Sequence, residues 1–189
     1  MAPEVLADMD FRRAVLEYRP TCEQERVDRE MMLAVCGRED ILLRSNLFMH
    51  FTASGWITCP ARDRVLLCWH NIYKSWSWTG GHADGEGDLL AVALREAREE
   101  TGLTGIRPVR EAPVSLEIIG VQPHFKRGSF VPAHLHLNLT YLLEADPAAK
   151  LRVKPDENSG LKWMAPDEAV RASSEECMRV VYEKLNKLL

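Results

Sequence analysis

A chain of 189 residues, 46% hydrophobic and 28% charged, suits one ordinary domain with a real core, or one domain with a short extension. Its net charge of −4 excludes a sequence-independent grip on a nucleic-acid duplex, which needs a basic surface, but not small anions bridged to acidic side chains by a cation. The five scattered cysteines (Cys22, Cys36, Cys59, Cys68, Cys177) form no CxxC pair and read as buried free thiols. No apolar run is long enough to cross a membrane, and the expected setting is cytoplasmic.

Residues 1 to about 45 have helical character. Thr21 with Gln24 fits a capping box, Val27, Met31, Leu33 and Val35 recur behind it, and Gly37 is a stop. This extension, 1–45, is set apart from a domain over 46–189, whose sheet it would either cap or help to pair in a homodimer. Next, "HFTASGWITCP" and "DRVLLCWH" read as a strand pair joined around Pro60 to Asp63. A helix is expected from about Asp88 to Thr101, stopped by Gly102. Strands follow at roughly 115–121 and 134–144, then a short one near "LKWMA". Pro166 starts a helix at its first turn, and a last helix runs from about Ser174 to Leu188. The order is mixed α/β, and its strands are too irregular for a doubly wound sheet.

The helix after the glycine turn "TGGHADGEG" carries the chemistry. At about 100° per residue, Leu90, Ala93, Leu94 and Ala97 share the stripe expected to pack. Glu96, Glu99 and Glu100 gather on another face, where like charges repel and Arg95, four residues before Glu99, relieves only part of it. A solvated face would explain such a run if the helix stood alone. Beside a glycine turn with free carbonyls, the same carboxylates are the hard oxygen ligands that Mg²⁺ or Mn²⁺ prefers, with phosphate oxygens completing the shell.

Gly81 to Leu103 resembles the Nudix hydrolase signature, G-x5-E-x7-R-E-U-x-E-E-x-G-U, where U is a bulky aliphatic residue. Arg95, Glu96, Glu99, Glu100, Gly102 and Leu103 match in register, and Ala97 is smaller than the usual aliphatic. The first glutamate of the pattern falls on Gly87, flanked by Glu86 and Asp88. The resemblance implies an α/β/α sandwich with a central mixed β-sheet. It implies hydrolysis of a diphosphate bond in a nucleoside diphosphate linked to another moiety. Glu96, Glu99 and Glu100 would be the metal ligands, helped by the Gly81 carbonyl, and Arg95 would orient a glutamate. A general base or further ligand usually comes from outside the box. Glu157 is the candidate, with Glu100 its rival. Two other readings stay open: an isomerase of isopentenyl diphosphate, and a non-catalytic nucleotide-binding module. The first wants a strand cysteine before the box, and neither Cys59 nor Cys68 sits in a Cys-x-His-Pro context.

Several neighbours are candidate substrate contacts. Trp76 and Trp78 share a strand face, where they either pack in the core or stack on a base. His82 lies inside the glycine turn. Lys126 and Arg127 are either solvated or phosphate-binding. His134, His136 and Asn138 alternate with leucines and share one strand face. That stripe suits phosphate binding or a pH response. Zinc is not expected, because the sequence suggests no further ligand for it.

Overall fold

The computed structural model describes residues 10–126 and 128–189, Lys126 by its backbone alone. Its central strand, β1 (Met49–Thr58), is covered on both faces, and its residues divide by parity. Phe51, Ala53 and Ile57 point to one hydrophobic core and Trp56 to another, while His50, Thr52 and Ser54 form a polar stretch on the Trp56 side. β2 (Val65–His70) pairs antiparallel with one end of β1, and β4 (Thr79–His82) with its middle. β9 (His134–Glu144) runs parallel to β1 from Met49–Leu135 to Thr58–Glu144. β10 (Asn158–Met164) and β3 (Ser75–Ser77) pair with β2, and β5 (Arg107–Pro108) and β6 (Ser115–Val121) pair with β9, all antiparallel. One parallel pair among antiparallel ones makes the sheet mixed. β7 (His124–Lys126) and β8 (Ser129–Val131) form a separate small hairpin.

Helices cover both faces. On one, Phe11 and Val15 of α1 (Phe11–Glu17), Met32 of α2 (Glu23–Val35) and Val92, Ala93 and Ala97 of α3 (Leu89–Thr101) share a core with Phe51, Leu137 and Leu139. On the other, Val170 of α4 (Pro166–Ala172) and Tyr182 and Leu185 of α5 (Glu176–Asn186) pack on Trp56, Leu67 and Met164. The result is an α/β/α sandwich. No helix among the described residues is long and apolar enough to cross a membrane.

α2 closes an exposed edge. Strand β6 has a partner on one side only, and α2 lies against the other. There Gln24 Nε2 donates to the Leu116 carbonyl and Asp28 Oδ2 accepts from the Ile118 amide, each at 2.9 Å, meeting edge groups that would otherwise invite a foreign strand. Beneath them Lys184 of α5 pairs with two buried carboxylates, Glu25 at 2.9 Å and Glu117 at 3.0 Å. α2 therefore covers the β6 edge of the sheet.

Four local expectations change. Thr21 and Gln24 form no capping box: α2 starts at Glu23, Gln24 reaches the edge strand, and the Thr21 amide and hydroxyl both donate to Glu25, at 2.7 and 3.0 Å. The residues of α3 that are buried are Leu89, Val92, Ala93 and Ala97, with Leu90 and Leu94 at the flank, because the helix rests on β1 and β4 and turns its stripe by about one residue. "TGGH" is a strand rather than part of the turn, since Gly80 and Gly81 pair with Ser54 and Ala53. The turn proper begins at Asp84 and Gly85, both with positive φ. Finally, Cys36, Cys59 and Cys68 are buried while Cys22 and Cys177 are exposed, and all five are free.

Candidate active site

α3 is held so that its carboxylates face a cleft. Asp88 caps its start, Oδ1 accepting from the Ala91 amide at 3.0 Å. Gly102 ends it at φ +72°, a left-handed conformation that suits glycine, and an added Cβ would meet Arg152 Cβ at 2.7 Å. The cleft, about 1040 Å³, runs along the polar half of the sheet face and is large enough for a nucleotide-sized ligand. Glu96, Glu99, Glu100 and Glu157 line one wall together with Gly81.

The three helix carboxylates are not equivalent. Glu99 is half exposed, Glu96 is mostly covered and Glu100 is buried. The expected repulsive patch is thus relieved in three ways. Arg95 donates to Glu96 at 2.9 Å and to the His82 carbonyl at 3.2 Å, and reaches Glu99 only at 4.0 Å. Lys154 bridges Glu99 at 2.9 Å and Glu157 at 3.0 Å. Burial alone would push the Lys154 ammonium down, but its bonds to the two carboxylates outweigh that and hold it up. Glu100 is held by neutral donors, the Gly80 amide at 2.8 Å and the Cys68 thiol at 3.3 Å. Burial dominates there and pushes its carboxyl up to about 8. The Cys68 thiol is raised far above its ordinary value, first by burial and then by Glu100.

Gly81 is needed for space. A Cβ there would stand 2.4 Å from Glu96 Cδ, so the carboxylate lies directly against the bare backbone. Gly81→Ala should displace Glu96, whose other contact is Arg95. A loss in kcat/KM of roughly tenfold to a hundredfold with little change in Tm is the expected result, measured by steady-state kinetics beside a thermal melt. Gly87 differs: an added Cβ meets nothing within 4 Å. Its carbonyl accepts from the Phe11 amide at 3.0 Å, tying α1 to the turn. Of the acids beside it, Glu86 lines the cleft and accepts from the Asp88 amide at 2.9 Å, and Asp88 is the helix cap.

The sheet side of the cleft is built by strand alternation. His50, Thr52 and Ser54 of β1 share a face with His136, Asn138 and Thr140 of β9, paired residue for residue, and with His82 and Gly80 of β4. Asn138 is buried, its Oδ1 accepting from Thr52 and Ser54 at 2.9 Å each. His134, His136 and His82 line the cleft, and so does His50, which the sequence reading did not single out. Its signal was a histidine sharing a strand face with Thr52 and Ser54, two and four residues on. Burial keeps the His50 imidazole below its ordinary value, hence neutral near pH 7. Lys154 was also missed; its proximity to Glu99 is a tertiary contact that no local spacing announces.

Trp78 lines the cleft, with its ring edge-on to Tyr182. Trp76 packs edge-on to Trp69 and against Gly160, outside the cleft wall. Arg127 and the Lys126 side chain lie outside the described residues. Cys68 sits beneath Glu100 and is not part of the cleft wall, and Cys59 donates to Asp63 at the hairpin turn, so neither thiol is placed for isomerase chemistry.

The chain matches known proteins in family and in fold. The family model for the NUDIX domain matches residues 49–185, most of the chain. The chain belongs to the Nudix family. It is a Nudix hydrolase acting on phosphorus-containing anhydrides. Among solved structures, an Ap4A hydrolase of C. elegans in a binary complex aligns with a TM-score of 0.55 at 17% identity, over 73% of this chain and 96% of that one. The E. coli dihydroneopterin triphosphate pyrophosphohydrolase gives 0.56 at 13%, over 74% and 96%. A Nudix hydrolase from Clostridium perfringens gives 0.53 at 22%, over 74% and 98%. These likenesses show the Nudix fold. No match to a curated protein was found. The family match begins at β1, so α1 and α2 lie outside the residues it covers.

Proposed function

We propose that the chain hydrolyses a diphosphate bond in a nucleoside diphosphate linked to another moiety, with Mg²⁺ or Mn²⁺ held by Glu96, Glu99, Glu100 and the Gly81 carbonyl. The observation that carries this is the convergence of those groups, with Glu157, on one wall of a nucleotide-sized cleft. The donor set suits a hard cation: all its ligands are oxygens, and the buried Glu100 has only neutral partners. When bound, such an ion polarises a phosphoryl oxygen and offsets charge on the leaving group. The remaining work belongs to the chain. Arg95 fixes the Glu96 carboxylate, and Lys154 holds Glu99 and Glu157. Glu157, half buried on the cleft wall, is the general base. Trp78 borders the substrate's base or its attached group, and His82, His134 and His136, which line the same cleft, contact the phosphates. The five free thiols fit a reducing, cytoplasmic setting.

The carboxylate missing at Gly87 is supplied by Glu86, the neighbouring acid on the cleft wall. Gly87→Glu should fold normally, given the open space at that position, and should leave metal-dependent hydrolysis unchanged or raise it. Glu86→Gln should weaken it severalfold, and Gly87→Glu should restore the double variant. Steady-state rates against Mg²⁺ concentration test this. A Gly87→Glu chain that folds but is inactive would show the turn to be misassigned.

A further inference from the structure

The four histidines on the cleft's sheet wall make a second cluster, chemically unlike the carboxylates. His50, His82 and His136 each offer one ligand atom, and these atoms all lie within 4.8 Å of one another. The ring centroids of His50 stand 5.1 Å from those of His82 and His136 and 4.9 Å from that of His134. Strand pairing makes the cluster: His50 faces His136 across the parallel β1–β9 register, and β4 brings His82 beside them.

The orientation of His50 points to a ligand. Its Nδ1 lies 3.1 Å from the Asn46 carbonyl, which can only accept, so Nδ1 carries the proton and Nε2 the lone pair. The residue is 3% exposed, and Nε2 has no hydrogen-bond partner among the described residues. A buried lone pair without a partner is costly and calls for an explanation. His134 shares only the carbonyl contact, with Nδ1 2.8 Å from the Pro132 carbonyl, while its Nε2 meets His136 Nε2 at 3.1 Å. Two imidazoles bound tetrahedrally to one ion at 2.0–2.1 Å would have nitrogens about 3.3 Å apart. A backbone carbonyl on the far ring nitrogen is also the usual outer contact of a metal-bound histidine.

We propose that His50, His82 and His136, with His134 beside them, form a site for a borderline transition-metal ion such as Zn²⁺, separate from the oxygen-ligand site on α3. Imidazole nitrogens favour such ions, whereas Mg²⁺ favours the carboxylates. The site's existence does not depend on the proposed hydrolysis, so either can fail alone.

Co²⁺ titration of the whole chain, followed by visible absorption and by calorimetry, tests it. The expected result is one tight Co²⁺ per chain in a low-symmetry, nitrogen-rich environment, displaced by Zn²⁺ and not by excess Mg²⁺. His50→Gln and His136→Gln should each weaken it by at least about tenfold, the floor seen when even an outer partner of a bound histidine is removed. Glu99→Gln should leave it in place. Circular dichroism checks folding, and His136, being only partly buried, decides the matter if His50→Gln does not fold. Unchanged Co²⁺ affinity in a folded histidine variant, loss of binding in Glu99→Gln alone, or displacement by Mg²⁺ would overturn the proposal.

Discussion

Glu100→Gln should abolish metal-dependent hydrolysis and yet stabilise the metal-free protein at alkaline pH. The loss of rate should be at least about a hundredfold, the scale on which a single preorganised electrostatic contact acts. The gain in stability follows from burial. Folding raises the Glu100 carboxyl from 4.5 to about 8, first through desolvation. Between those values the folded chain holds a proton that the unfolded chain has released, so stability falls as pH rises. The contribution is fully present below about 4.5 and lost as pH climbs through about 8. A neutral glutamine keeps an oxygen for the Gly80 amide and removes the titration. The variant should therefore gain on the order of a few kcal/mol over the parent near pH 9 and little near pH 5. Denaturant unfolding at both pH values, without and with Mg²⁺, would show it. Mg²⁺ should flatten the parent's pH dependence and leave the variant's unchanged.

Lys184→Met should be the most damaging substitution remote from the cleft. It leaves Glu25 and Glu117, both almost fully buried, facing one another with no cation between them. Removing one partner of a buried ionic cluster costs about 3–5 kcal/mol, which for a chain of this size lowers Tm by roughly 6–20 °C. Adding Glu25→Gln and Glu117→Gln should recover much of the loss, since the penalty lies in the charge left behind rather than in the pair's net worth. Thermal melts of the single and triple variants check this. A drop below about 1 kcal/mol for Lys184→Met would mean that water reaches the cluster.

What the sequence made legible was what repeats locally. The alternation in His134 to Glu144 and the cap and stop residues of α3 announced those elements within a residue or so, because strand and helix periods are written in neighbouring side chains. The glutamates of α3 were equally plain, being three to four residues apart on one helix. Their inequality was not. Glu100 is buried because β4 crosses over it, and Lys154 meets Glu99 because a loop 55 residues later folds back, and neither fact has a local signature. The histidine wall shows the same limit. From β9 alone, zinc lacked a further ligand; the register of β1 and β4 supplies His50 and His82. Likewise α2 could be recognised as a helix from its own residues, but its service to the edge of β6 depends on side chains reaching a strand some 90 residues away.

On our proposal, the α3 carboxylates run a metal-dependent diphosphate hydrolysis. The most direct measurement is Mg²⁺-dependent product release from nucleotide sugars, dinucleoside polyphosphates and nucleoside triphosphates, comparing the parent with Glu99→Gln. Turnover of at least one of them by the parent, requiring Mg²⁺ or Mn²⁺ and lost in Glu99→Gln, is the predicted result. No turnover of any of them by the parent, with Glu99→Gln binding Mg²⁺ as tightly as the parent does, would contradict it.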